Sequence, residues 1–563
     1  MLKVFRIILF VFLFSCSLEA GSYFRKKVSE AFTNPRDRIL VDTLKGVIFL
    51  TPQVKEKEEK KIEKKQIDGF EGIEIIGIEI PNEEEFFKQM SSFLGEPISI
   101  RKLQAIRETT KLFYKKRGYH LADVIFPKGQ KITAGVVQFI ISIGKLGDVK
   151  VEGGEHFSKQ QIADFVRTEK DEEISFDKMQ DDLDWMNSNP FRRVDLYYET
   201  GKKIGQTDVI LRMNDKTPFR LYGGYENTGN INAGKSRFLA GLNWGNIFKL
   251  DHRFNYQYMA APSIKGWQGH SYSYIAPLPC RHILKVFGSY VRSISDRDEY
   301  RYLTGKSWYV GARYYIPFRV GKIKNEFHMG YDFKRTNNFL SYQTKLIYNT
   351  YMDVSQFTVG LKGIYEYLRG ETAWNFIGYL SPGEMTKYNE TIYFQVERSG
   401  NQANYFYFDL HLDQTIYLPF DFSWVFTSEY QYSSGKLLPS EQLDLGGYYT
   451  VRGYQENDVI SDRGILIKNE IRSPVINISR DQKKKSEVIY LVFCDFGWAS
   501  KVDQNILDKD NAILASLGLG LRYNLMNYVN LQLDYGWQLN RVHRLADSSS
   551  SRSRAHLGLV LSY

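Results

Sequence analysis

The segment Val529-Asn-Leu-Gln-Leu-Asp-Tyr-Gly-Trp-Gln-Leu-Asn540 alternates without a break. Val529, Leu531, Leu533, Tyr535, Trp537 and Leu539 are apolar; Asn530, Gln532, Asp534, Gly536, Gln538 and Asn540 between them are polar or small. Successive side chains of a strand point to opposite faces, so this period makes one apolar face and one wet face. Residues 513–524 behave alike apart from Leu514, and so do 357–367 and 406–412. Helical periodicity vanishes after residue 216, and sixteen alternating segments follow, the first at 219–225 and the last at 557–563.

A water-soluble sandwich alternates too, so further features must decide. The apolar faces gather aromatic residues at their ends, as the girdles of membrane barrels do, and the polar faces hold Gly, Gln, Asn, Asp and Arg, which suits a hydrated bore. A membrane strand needs about 9–11 residues, so residues 217–563 accommodate sixteen strands with their loops. Lipid supplies no hydrogen bonds, and such strands must close on themselves. The expectation is a mainly β protein with a 16-stranded antiparallel transmembrane β-barrel over 217–563. The last strand places Leu557, Leu559, Leu561 and Tyr563 on one face and stops on the aromatic. Leu559, Leu561 and Tyr563 therefore read as an outer-membrane assembly signal rather than a plain edge strand.

Composition agrees. With 43% hydrophobic and 15% aromatic residues in 563, the chain is too apolar for disorder and too long for one small domain. Only the first twenty residues hold a run resembling a membrane helix. There Lys3 and Arg6 precede the apolar residues 7–14 and the small residues Ser15, Ser17, Ala20 and Gly21, the pattern of a secretory signal peptide over 1–20. Cys16 falls inside it, and Cys280 and Cys494 are too few for a disulfide framework or a metal site. A net charge of +10 spread over this length is weak grounds for a nucleic-acid partner, and export argues against one.

Between leader and barrel lie three stretches. Residues 21–66 contain a short basic segment, an apolar run at 47–50 that periodicity does not assign, and the mixed charge run 55–61, read as a solvated linker. Residues 67–144 carry a strand around Ile73–Ile80, a capped helix opened by Asn82 and Glu85, a second helix from Ser99 to Gly118, and strands at 121–126 and 136–143. Residues 145–216 repeat the order β-α-α-β-β, with helices at 158–168 and 175–188. Two copies of one small α+β unit point to a modular arm rather than an enzyme core.

Gly229-Asn-Ile-Asn-Ala-Gly234-Lys235-Ser236 matches the phosphate-binding loop formula, but it lies between two alternating segments instead of between a strand and a helix. It is a Gly/Asn hairpin, and no nucleotide is expected. The nine histidines are scattered, no nucleophile elbow or zinc motif is present, and neither an enzyme nor any cofactor or metal is expected. The informative pair is Val451-Arg452-Gly453-Tyr454, within the polar stretch 436–463, and Phe493-Cys494-Asp495-Phe496-Gly497 on a later strand. That strand's apolar face carries Val488, Tyr490, Val492, Cys494, Phe496 and Trp498, so Asp495 and Gly497 face the lumen. A carboxylate facing a bore wants a cation, and a long loop can fold inward to bring Arg452. Arg452 as an ordinary solvated loop residue is the alternative; the parity of Asp495 favours pairing.

These motifs resemble those of the outer-membrane two-partner secretion transporters, the haemolysin secretion/activation family. Its superfamily is that of barrels bearing polypeptide-transport-associated (POTRA) domains. Gly464 and Asn469-Glu470-Ile471-Arg472-Ser473-Pro474 fit the strand after the loop, with Glu470 and Arg472 as candidate luminal charges. Asn187–Pro190 with Val194 and 201–207 resembles a second POTRA domain, and Tyr225–Gly229 a first barrel hairpin. The resemblance covers 67–563. It implies POTRA domains at 67–144 and 145–216 in the periplasm, a plug helix within 23–34, and a barrel whose loop 436–463 places Arg452 on Asp495. It also implies an unfolded periplasmic exoprotein as substrate, outer-membrane lipid around the barrel, and the barrel assembly machinery as a partner in biogenesis. An assembly factor for other membrane proteins is the rival, although such factors carry more POTRA domains than 67–216 can hold. A diffusion porin needs neither the paired units nor the ion pair.

Overall fold

The computed structural model describes residues 39–52, 64–65, 68–127, 129–203, 205–229, 234–264, 266–298, 301–342, 345–479, 485–502, 511–526, 528–540 and 551–563. The expected signal peptide, the plug helix within 23–34 and the charge run 55–61 lie outside them. The chain forms two compact units. One takes the residues up to Val149 together with Arg167–Gln180 and Tyr198–Val209, and the other takes Lys150–Val166, Asp181–Tyr197 and everything from Ile210.

The apolar run that periodicity leaves unassigned turns out to be the heart of the first sheet. Gly46–Leu50 is buried along its whole length. It lies parallel to both Gly72–Ile76 and Val136–Ser142, and Asp123–Ile125 completes the four-stranded sheet beside Val136–Ser142. This sheet therefore reaches back to residue 46, ahead of the boundary expected at 67. Val47 and Phe49 pack into one apolar cluster, and Ile48 and Leu50 into another. A strand covered on both faces has no wet side, which is why it shows no alternation. Helices Glu83–Ser91 and Ile100–Lys115 cover one side. Asn82 accepts from the Glu85 N–H at 3.4 Å while its amide donates to the Glu85 carboxylate at 3.0 Å, a reciprocal cap. Ser99 caps the second helix through the Lys102 N–H. Phe86 seats its ring edge-on to Phe49 at 5.0 Å and to Phe113 at 4.9 Å.

The β-α-α-β-β order recurs in Lys145–Gly153, Lys159–Asp164, Phe176–Met186, Arg192–Thr200 and Gln206–Asp215. Its sheet runs in the order 145–153, 206–215, 192–200. The first helix here is shorter than the expected 158–168, because the chain leaves helical hydrogen bonding at Phe165.

Sixteen long antiparallel strands, from Phe219–Glu226 to Ser553–Ser562, close into a barrel, with the two-residue strand Ile476–Asn477 beside one of them. Closure is the pairing of first and last strands, Tyr222 with Ser562 through Glu226 with Gly558. On Ser486–Ser500 the parity is plain: Tyr490, Val492 and Cys494 are exposed outward, while Leu491, Phe493, Asp495 and Gly497 are buried inward. The hairpin between Phe219–Glu226 and Arg237–Ile247 contains the phosphate-loop formula, and no helix follows it.

Candidate functional site

The connection between strands Ser423–Ser433 and Arg463–Arg472 folds back on itself as a short ladder, Leu443–Leu445 against Val459–Ser461, and carries its tip onto five barrel strands. Val451, Arg452 and Tyr454 are all essentially inaccessible. The Arg452 guanidinium donates through Nε to Asp495 Oδ2 at 2.7 Å and through Nη2 to Asp495 Oδ1 at 2.8 Å, and the Arg452 N–H adds a third bond to the same carboxylate at 3.1 Å. Nη1 donates to Glu470 Oε1 at 2.6 Å and lies 3.5 Å from Asp534. The planar cation rests 3.6 Å above the Phe493 ring. Burial alone would lower the guanidinium's pKa, but Asp495, then Glu470 and Asp534, outweigh it and hold the group protonated.

The remaining charges are shared out. Asp534 also takes two bonds from Arg522, at 2.7 and 3.0 Å, and Glu470 takes two from Arg472, at 2.9 and 2.6 Å. Asp495 faces Arg452. Sequence reading singles out Asp495, Glu470 and Arg472 but misses Asp534 and Arg522. Both sit on the polar faces of alternating segments, so their inward direction is legible; their convergence on one loop is not.

The wall is shaped for the tip by missing side chains. A Cβ on Gly536 would come within 2.7 Å of the Gly453 nitrogen, and one on Gly518 within 2.1 Å of the Phe493 ring. One on Gly497 would lie 3.0 Å from Val451. Gly453 itself has φ +91°, in the region that favours glycine, and its N–H donates to His556 Nε2 at 3.0 Å while its carbonyl accepts from Gln538 at 2.7 Å. The Tyr454 hydroxyl lies between the carbonyls of Ala515 (2.9 Å) and Asn540 (2.7 Å). Leu559, Leu561 and Tyr563 are elsewhere: Leu561 and Tyr563 are exposed on the outward face of the last strand, and Tyr563 pairs through its backbone with Leu221.

Residues 205–523 match the haemolysin secretion/activation protein ShlB/FhaC/HecB family, more than half of the chain. The chain belongs to that family. It is similar to the heme/hemopexin transporter protein HuxB of Haemophilus influenzae, 22% identical over 452 residues covering 77% of each chain. It is also similar to the outer membrane transporter CdiB of Escherichia coli, 22% identical over 399 residues, 68% of this chain and 65% of that one. Among solved structures, CdiB from Escherichia coli superposes with a TM-score of 0.74 at 15% identity, covering 96% of this chain and 93% of that one. CdiB from Acinetobacter baumannii gives 0.65 at 17% identity, covering 100% and 98%. The protein is thus an outer-membrane transporter of the two-partner secretion type, a 16-stranded barrel preceded by two POTRA units on the periplasmic side.

The transporter's barrel also grips α+β residues that belong to the same compact unit. Arg192 makes two bonds to Asp251 at 2.6 and 2.8 Å, both side chains buried, and Asn189 donates to the same carboxylate at 2.6 Å. Asp251 follows the strand Arg237–Ile247 in a periplasmic turn, so this pair fixes residues 189–192 to the barrel. Among the described residues no group of His, Cys, Asp or Glu is arranged to hold a metal ion.

Proposed function

We propose that the transporter captures an unfolded exoprotein in the periplasm on an exposed sheet edge of its POTRA units and passes it through the barrel to the cell surface. An extended segment added to such an edge gains main-chain hydrogen bonds whatever its sequence, which suits an unfolded cargo. The loop 436–463 controls the lumen, and Arg452 with Asp495 is the bond that keeps it inside. What supports this reading is a buried cation held by carboxylates from neighbouring wall strands, at the tip of a loop whose backbone lies against wall glycines. Folding of the cargo outside supplies the drive. The residues assigned to the loop and wall perform no chemistry, and the protein acts as a pore rather than an enzyme. Leu559, Leu561 and Tyr563 address the chain to the barrel assembly machinery, and the exposed outer faces meet lipid.

Depletion of the transporter tests the assignment. Loss of one surface exoprotein with the other outer-membrane barrels at normal levels is expected. Broad loss of barrels would overturn it in favour of an assembly factor.

A further inference from the structure

Asp462, the last loop residue before strand Arg463–Arg472, has a fully buried side chain on which five donors converge. Arg398 grips it with Nη1 at 2.5 Å and Nη2 at 2.8 Å. The N–H of Leu437 (2.9 Å), the amide of Gln442 (2.9 Å) and the N–H of Val502 (2.8 Å) complete the set. The donors come from three connections at one end of the barrel: the one between Gly370–Ser381 and Tyr405–Tyr417, the loop itself, and the one after Ser486–Ser500. Burial alone would raise the Asp462 carboxyl, but Arg398 and the two backbone N–H groups outweigh it and hold it below its ordinary value.

Around this node the loop root is stiff. Leu437 and Leu438 are buried beside Phe394 of helix Thr391–Glu397. Glu441 accepts from Lys334 and Tyr407 at 2.8 Å each and from Gln356 at 3.0 Å. Backbone in the left-handed region begins only beyond the ladder, at Gly446 (φ +101°), Gly447 (φ +118°) and, on the return, Asn457 (φ +55°). These positions bracket the tip that carries Arg452 and mark where a rotation of the chain can swing it without disturbing the root.

We propose that Asp462 is a positioning residue for the Arg452 lock: it ties the loop root to its neighbours, presents the tip at the depth of Asp495, and stays bound when the tip leaves. This rests on the reading that the loop controls the lumen. A short, anchored tether keeps the effective concentration of Arg452 at Asp495 high, and freeing the root lengthens that tether and lowers it.

The test is the fraction of time the purified full chain spends in its wide conductance in planar lipid bilayers. Heat-modifiable migration on gels serves as the check on folding. Asp462→Asn keeps the shape and removes the charge, and Arg398→Gln removes the cation from a different connection. Each is expected to raise the open fraction about tenfold, as expected for losing hydrogen bonds to a charged group. Added to Arg452→Ala, Asp462→Asn is expected to change it less than about twofold, because the node acts through the tip. No change in either single variant, or the same tenfold rise on top of Arg452→Ala, overturns the inference. If Arg452→Ala itself leaves the conductance unchanged, the lumen-control reading fails and this inference falls with it.

Discussion

Replacing Arg452 by Ala is the most direct perturbation of the lock. The variant removes two side-chain bonds to Asp495 and one to Glu470, all between 2.6 and 2.8 Å, and leaves Phe493 without its cation. The carboxylates do not suffer equally. Asp534 keeps Arg522 and Glu470 keeps Arg472, whereas Asp495 retains the backbone N–H of residue 452. Breaking a buried ion pair from one side costs about 3–5 kcal/mol, because the remaining charge stays desolvated. A loss of that size shifts the balance between docked and undocked tip by roughly two to four orders of magnitude. Lys in place of Arg restores the charge but not the fork that spans Asp495 and Glu470, so Arg452→Lys is expected to fall between Ala and the parent. The assay pairs single-channel recording with the amount of exoprotein at the cell surface, at matched levels of inserted barrel. Secretion is expected to collapse and wide openings to become frequent while the barrel still inserts. Normal secretion with unchanged conductance in Arg452→Ala would refute the reasoning.

Three further outcomes follow from the same structure. Gly536→Ala drives a methyl against the Gly453 nitrogen and the Arg452 carbonyl carbon, backbone that cannot yield, and should loosen the tip; Gly435→Ala, with nothing within 4 Å, should be silent in the same conductance assay. Glu456, which accepts from the Tyr448 N–H at 2.8 Å, is pushed up to about 7 by burial, with Glu226 adding to the rise while Arg554 and Arg237 oppose it and His556 lies 3.8 Å away. The docked loop thus holds this proton more tightly than a free carboxyl of about 4.3, so docking is strongest below that value, weakens as pH rises toward 7 and is constant above. The open fraction should be lower at acidic pH than at pH above 7, and Glu456→Gln should flatten the profile; a reversed slope would contradict the burial. Phe49→Ala, at a position with no exposed surface, should destabilise the first α+β sheet by about 3–5 kcal/mol, read as protease cleavage of that region at a lower denaturant concentration than in the parent.

The barrel was legible because lipid outside and water inside impose opposite chemistry on successive side chains, and 529–540 records that contrast residue by residue. The caps at Asn82 and Ser99 were legible for a similar reason: their hydrogen bonds close within three residues. The strand Gly46–Leu50 was not, since both of its faces are covered and its partners lie at 72–76 and 136–142.

At the lock, parity alone turns Asp495, Glu470, Asp534 and Arg522 inward. It does not say which cation each receives, because inward direction is local while depth depends on strand stagger and on where a long loop lands. Glycines on the polar faces read in sequence as small residues of a wet wall, and in the fold they are the clearance for the tip. Asp462 shows the limit most sharply, for its donors at 398, 437, 442 and 502 share no spacing that a linear pattern could carry. The sequence by itself determined the cylinder and the face on which each strand residue lies; only closure of the cylinder brought those distant charges within bonding distance of one another.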